Sequence, residues 1–211
     1  MTLYDTLAPV AHGLISLFTR FEREGTEHVP PTGPFVVACN HVLNADIICL
    51  AHALYPLHVH YMAKQELFRN KLFANIITQL HAYPVNRQNP GPSVVKHTLQ
   101  VLKAGGVVGI FPEGHRTAQG GPLKAGAVRM ALRAGVPILP ARYLGPLRWS
   151  ALLRRPRVVV RFGPLLRLDA YKGVPVTDEL VNRLVDELSD ALRHLGDADA
   201  QPAEQSAAPA D

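Results

Sequence analysis

Cysteine is nearly missing from this chain. Of 211 residues only Cys39 and Cys49 are cysteines, both inside apolar runs, which excludes a disulfide scaffold and reads as a reduced cytosolic protein. A thiol nucleophile at Cys39, beside His41, weighs little, because a cysteine closing an apolar strand is usually a small buried hydrophobe. Also missing is any uninterrupted apolar run of roughly 18–20 residues, the length that spans a bilayer. Residues 7–18 are broken by Pro9 and His12, and residues 47–57 are too few. The opening segment has neither the basic start nor the small-residue cleavage site of a secretory signal, so the mature chain is expected to begin near Met1. Finally, acids are absent from Arg142 to Arg167, a stretch holding seven arginines.

The formal net charge is +5, yet residues 197–211 hold four acids and no base, so residues 1–196 carry +9. Such a chain seeks polyanions: nucleic acid, anionic lipid headgroups or phosphorylated substrates. Nucleic acid is the weakest of these. Residues 142–167 lack the aromatic platforms of single-strand readers and any helix-turn-helix pattern.

What is present is an alternation of short β-rich runs and helical stretches. Leu3, Leu7, Val10, Leu14, Ile15 and Phe18 have helical spacing, predicting an amphipathic opening helix over 3–20 that either caps the core or lies on a membrane surface. After "HVPPTGP", strands are expected near 35–39, 58–62, 82–85, 107–111, 137–143 and 157–162. Helices are expected near 45–55, 66–79, 93–104 and 124–134. Continuous apolar runs such as "VVGIF" suit a sheet covered by helices on both faces. The expected fold is a single α/β layered domain, its central sheet largely parallel or mixed and flanked by helices. A last amphipathic helix over 178–195 opens on Asp178 and Glu179 and closes on Arg193 and His194, as the helix dipole favours. The expected division is 1–28 as helix and linker, 29–196 as the domain, and 197–211 as a disordered acidic Ala/Pro tail.

In such sheets chemistry collects where strands stop. Three polar clusters fall at expected strand ends: "NHVLNAD" after "FVVAC", "YPVNR" ending in Asn86 and Arg87, and "FPEGHRT" after "VVGI". Positions five apart on one helix lie about 140° out of phase. His41 and Asp46 therefore meet only if the histidine sits in the loop and the aspartate in the first helical turn. An acid against one imidazole nitrogen fixes the tautomer and leaves the other to take a proton. No serine adjoins the pair, so the hydroxyl would come from a substrate. The competing reading is that Asp46 caps a helix and His41 is an ordinary loop histidine. His58 and His60, on one strand face, together with His52 are a weak metal candidate lacking convincing ligand spacing. "GGPLKAG" lacks the Gly-Lys-Ser/Thr end of a phosphate loop.

"NHVLNAD", "YPVNR", "FPEGHRT" and "VPILPARY", in this order over residues 29–145, resemble the four motifs of the glycerolipid acyltransferases, the group that includes bacterial 1-acylglycerol-3-phosphate acyltransferase. The resemblance implies His41 and Asp46 as the catalytic pair. It implies substrate binding by Asn40, Arg87, Glu113, Gly114, His115, Arg116, Thr117 and Lys124, the arginines holding a glycerol phosphate from neighbouring strand ends. It also implies acyl transfer from acyl-CoA or acyl carrier protein to a lysophospholipid, without metal or bound cofactor. The expected site of action is the cytoplasmic side of the cell membrane, with the protein bound peripherally to anionic lipid and no nucleic-acid partner. Leu43, Asn86, His115 and Thr117 depart from the family's usual residues. They keep open a different lipid alcohol as acceptor, or a non-catalytic anionic-lipid-binding protein. The arginines of 142–167 and the segment 144–155, with Trp149, are expected at the lipid surface beside the opening helix.

Overall fold

A computed structural model describes residues 3–86, 91–116, 121–146 and 154–197. Its centre is one seven-stranded sheet in the order β1-β7-β6-β2-β5-β3-β4. The strands are β1 (Arg20–Glu24), β2 (Phe35–Cys39), β3 (Val59–Lys64), β4 (Ala82–Val85), β5 (Val107–Ile110), β6 (Ile138–Leu144) and β7 (Arg157–Phe162). β6, β2, β5, β3 and β4 run parallel; β7 is antiparallel to β6, and β1 runs with β7. The sheet is therefore mixed.

Strand alternation divides the core into two layers. Val36, Ala38, Val108 and Ile138 face one side, against α4 (Pro92–Lys103), α5 (Gly126–Ala134) and α6 (Asp178–Asp197). Phe35, Val37, Cys39 and Leu139 face the other, against α2 (Asn44–Ala53). Every residue of β2 is fully buried, each large apolar side chain contributing about 1.5–3 kcal/mol. α1 (Leu3–Phe18) lies over α2 and α3 (Lys71–Gln79).

Four expectations are corrected. "RFERE" is not a linker but an edge strand, so the break expected before residue 29 falls between α1 and β1 instead. Its acids hold it in place: Glu22 and Glu24 pair with Arg157 at 2.8 and 3.2 Å, and Glu24 with Arg161 at 2.6 Å. The placement at a lipid surface is also corrected for two of the seven arginines of 142–167, Arg142 and Arg161, which turn onto the protein. Arg157 and Arg161 serve β1, Arg161 also donates to the Leu195 carbonyl, and Arg142 donates to that of Leu192. The helix expected over 66–79 is split, because Asn70 caps α3 by accepting from the amides of Leu72 and Phe73 and Gln65–Phe68 forms only a 3-10 turn. The helix expected from 124 begins at Gly126, since the Lys124 amide is committed to the Pro112 carbonyl. α6 reaches Asp197. The rest of the acidic tail, Arg87, Thr117 and residues 147–153, Trp149 included, lie outside the described residues.

Candidate active site

β2 and β5 are neighbours, so the loops after Cys39 and after Ile110 meet at the same edge of the sheet. β2 leaves the sheet through Asn40. Its Oδ1 accepts from the Tyr143 amide at 2.7 Å and its Nδ2 donates to the Tyr143 carbonyl at 3.2 Å. Both ends of the side-chain amide are thus spent on β6.

His41 follows, 3 % exposed, with Nδ1 at 3.1 and 3.0 Å from the two oxygens of Asp46. A carboxylate only accepts, so Nδ1 carries the proton and Nε2 is the basic nitrogen. Asp46 is fully buried in the first turn of α2, and its Oδ2 also accepts from the amides of Val42 and Leu43 at 2.7 and 2.9 Å. The two readings of this aspartate are therefore compatible. One carboxylate caps the helix and grips the imidazole, because the chain turns between loop and helix.

The β5 loop closes the other side. Phe111 stacks on the imidazole with ring centroids 4.4 Å apart. Glu113, 4 % exposed, accepts from the His41 backbone amide at 3.4 Å. Burial raises the Glu113 pKa, opposed by that hydrogen bond and by the nearby imidazole. Glu113 thus faces the histidine loop from within the protein. Gly114 holds φ +73°, and a Cβ there would lie 2.7 Å from Lys124 Nζ, so glycine lets the lysine cross the loop. His115 and Arg116 stand exposed just beyond.

Beside His41 opens a pocket of about 390 Å³ on the α4/α5 side of the sheet. Its walls are apolar, with Met62, Val85, Val94, Val95, Ile110 and Met130 among them, while His41 and Lys124 are its titratable lining groups. Sequence reading did not find this pocket or the Phe111 stack. The one local signal was the aromatic residue preceding the polar cluster "PEGHR".

The strands that lead toward Arg87 and Arg116 do not end side by side, and Arg87 itself lies outside the described residues. β3 lies between β4 and β5, so the strand ends leading to Arg87 and Arg116 are two spacings, about 10 Å, apart rather than adjacent. The cysteines carry no nucleophile: burial pushes Cys49 up to about 12 and Cys39 higher still. His58, His60 and His81 lie ring to ring, and no cluster among the described residues is arranged to hold a metal.

Residues 20–144 match the model of the family described as Acyltransferase. Over 199 residues the chain is 35 % identical to the 1-acyl-sn-glycerol-3-phosphate acyltransferase of Bacillus subtilis, covering 92 % of this chain and 100 % of that protein. The protein of the same name from Streptococcus pneumoniae is 30 % identical over 168 residues, and there the chain spans 62 % of the relative's length. Among solved structures, the 1-acyl-sn-glycerophosphate (LPA) acyltransferase PlsC from Thermotoga maritima shares the fold. Its TM-score is 0.72 at 21 % identity, over 95 % of this chain and 81 % of that one. By sequence and by fold, then, this chain belongs to the acyltransferase family and is an acyltransferase enzyme.

Proposed function

We propose that the protein moves a fatty acyl chain from a thioester, acyl-CoA or acyl carrier protein, to the free hydroxyl of 1-acylglycerol-3-phosphate. The observation that carries this reading is a buried His41–Asp46 pair at the mouth of an apolar pocket. His41 Nε2 takes the proton of the acceptor hydroxyl while Asp46 stabilises the imidazolium. The hydroxyl oxygen attacks the thioester carbonyl, the carbon–sulfur bond breaks, and the departing thiolate recovers the proton from His41. An ester and a free thiol result, with no metal or redox step. The pocket takes an acyl chain on its apolar walls. Lys124 and Arg116 supply positive charge suited to the phosphate, with His115 as a further hydrogen-bond donor and Arg87 assigned to the same anion.

The reading extends to the membrane. A lipid acceptor favours a peripheral enzyme on the cytoplasmic side, where anionic lipid attracts a basic chain; separately, no helix among the described residues is long and apolar enough to cross the membrane.

The test is His41→Ala assayed with radiolabelled acyl donor and lysophosphatidate. The expected loss is roughly 10²–10⁴-fold with far-ultraviolet circular dichroism unchanged. Thioester consumption near the wild-type rate would refute the base. Wild-type product with another lipid alcohol but none with lysophosphatidate would refute the acceptor.

A further inference from the structure

α3 is a helix with no buried residue. Its apolar side chains lie outward, Leu72 at 73 %, Phe73 at 44 % and Ile76 at 36 % exposure. Nine residues are too few to hold a helix in water by propensity, and such a stripe gains stability when an apolar phase covers it. Nothing among the described residues covers it.

Charge and position say what does. Lys64, Arg69 and Lys71 stand exposed around its start, and from residue 67 to 112 the chain has no aspartate or glutamate. Glu66, the acid that precedes this stretch in sequence, pairs with Lys64 at 3.7 Å. A basic collar around exposed leucine and phenylalanine complements an anionic lipid surface. α3 also adjoins α1, whose Val10, Leu14, Leu17 and Phe18 are 45–63 % exposed. α1 runs from Tyr4, packed on His58 and His81 near the starts of β3 and β4, to Phe18 just before β1. Because β1 and β7 run against the other five strands, the start of β1 lies at the edge that carries His41. α3 starts beyond that edge too, following β3 through the Gln65–Phe68 turn.

We propose that α3 and the C-terminal half of α1 form one face that seats on an anionic bilayer, Leu72 and Phe73 entering among the headgroups and Lys71 binding phosphate. This rests on the lipid-acceptor reading above and adds to it a second membrane element, far in sequence from the opening helix.

The test compares the full chain with Leu72→Glu and Lys71→Glu, using sedimentation with vesicles of phosphatidylcholine alone or mixed equally with phosphatidylglycerol. Leu72→Glu is expected to lower partitioning about tenfold or more on the mixed vesicles. Lys71→Glu is expected to lower it about fivefold there and to leave phosphatidylcholine binding unchanged. Both side chains are exposed, so thermal midpoints stay at the wild-type value. Activity on vesicle-embedded acceptor falls with binding, while activity on a short-chain monomeric acceptor is retained. Mixed-vesicle binding of Leu72→Glu within about twofold of wild type overturns the proposal. So does a self-association, or a complex with acyl carrier protein, that Leu72→Glu abolishes while vesicle binding persists. If the wild type acylates no lysophosphatidate, the functional reading fails separately, and the vesicle comparison still decides this one.

Discussion

Asn40 pairs with the backbone of Tyr143 through both ends of its side-chain amide, accepting at 2.7 Å and donating at 3.2 Å across 103 positions of sequence. The amide imitates a peptide unit and extends the β2–β6 ladder past Cys39↔Ala141, while the main chain is released to turn toward His41. Asn40→Ala leaves a buried N–H and C=O of Tyr143 unpaired, at about 2–4 kcal/mol. The expected result is a thermal midpoint several degrees lower and weaker turnover even where the variant is fully folded, read by calorimetry alongside the acyl-transfer assay.

Asp46 supports fold and reaction through different bonds, and two variants separate them. Asp46→Ala loses the bonds from Val42 and Leu43 as well as the imidazole, costing about 1–2 kcal/mol as a lost cap on top of the rate. Asp46→Asn keeps an acceptor for those amides and removes the charge that stabilises the imidazolium, so its stability stays closer to wild type while kcat falls by roughly 10²–10⁴. Equal loss of stability in both variants would contradict this division.

Glu113 is expected to show stability and activity moving in opposite directions. Burial raises its pKa above the ordinary 4.5, so the folded state holds its proton more tightly than the unfolded state. The stability it contributes is fully present below 4.5 and is lost as pH rises through the raised value. Glu113→Gln keeps an oxygen for the His41 amide and cannot ionise. Denaturant titrations should therefore show the variant more stable than wild type at neutral pH and equal to it in acid. Its turnover should be lower, because an anion beside the imidazolium is gone.

His60 has the opposite sign. Burial, then the neighbouring His81, His97 and His58, lower it from 6.5 to about 4. Between those values the unfolded chain binds the extra proton. Stability is complete above pH 6.5 and is lost as pH falls through about 4, at no more than about 1.4 kcal/mol per pH unit. His60→Gln should flatten the thermal-midpoint curve over that interval, and a curve parallel to wild type would contradict the assignment.

Much of the fold was legible because the signals were local. "FVVAC", "AYPV" and "RVVVRF" read as strands because both of their faces are apolar or sheet-like, and α6 because its acids and bases follow the dipole. "RFERE" was not legible: an edge strand held by Arg157 and Arg161 has charged side chains where periodicity seeks apolar ones. The break within 66–79 turned on one Asn70 cap, too small a signal against the helical spacing around it.

The sequence by itself determined the alternation of elements, the loop-to-helix junction that lets His41 and Asp46 meet, and the excess of positive charge, all set by residues a few positions apart. Only the tertiary structure decided the strand order, and with it the rest of the site. That order brings Glu113 to the His41 amide and Tyr143 to Asn40, pairs Arg157 and Arg161 with β1, and leaves α3 facing outward. These depend on which apolar faces bury one another over long separations, and no local spacing records that choice.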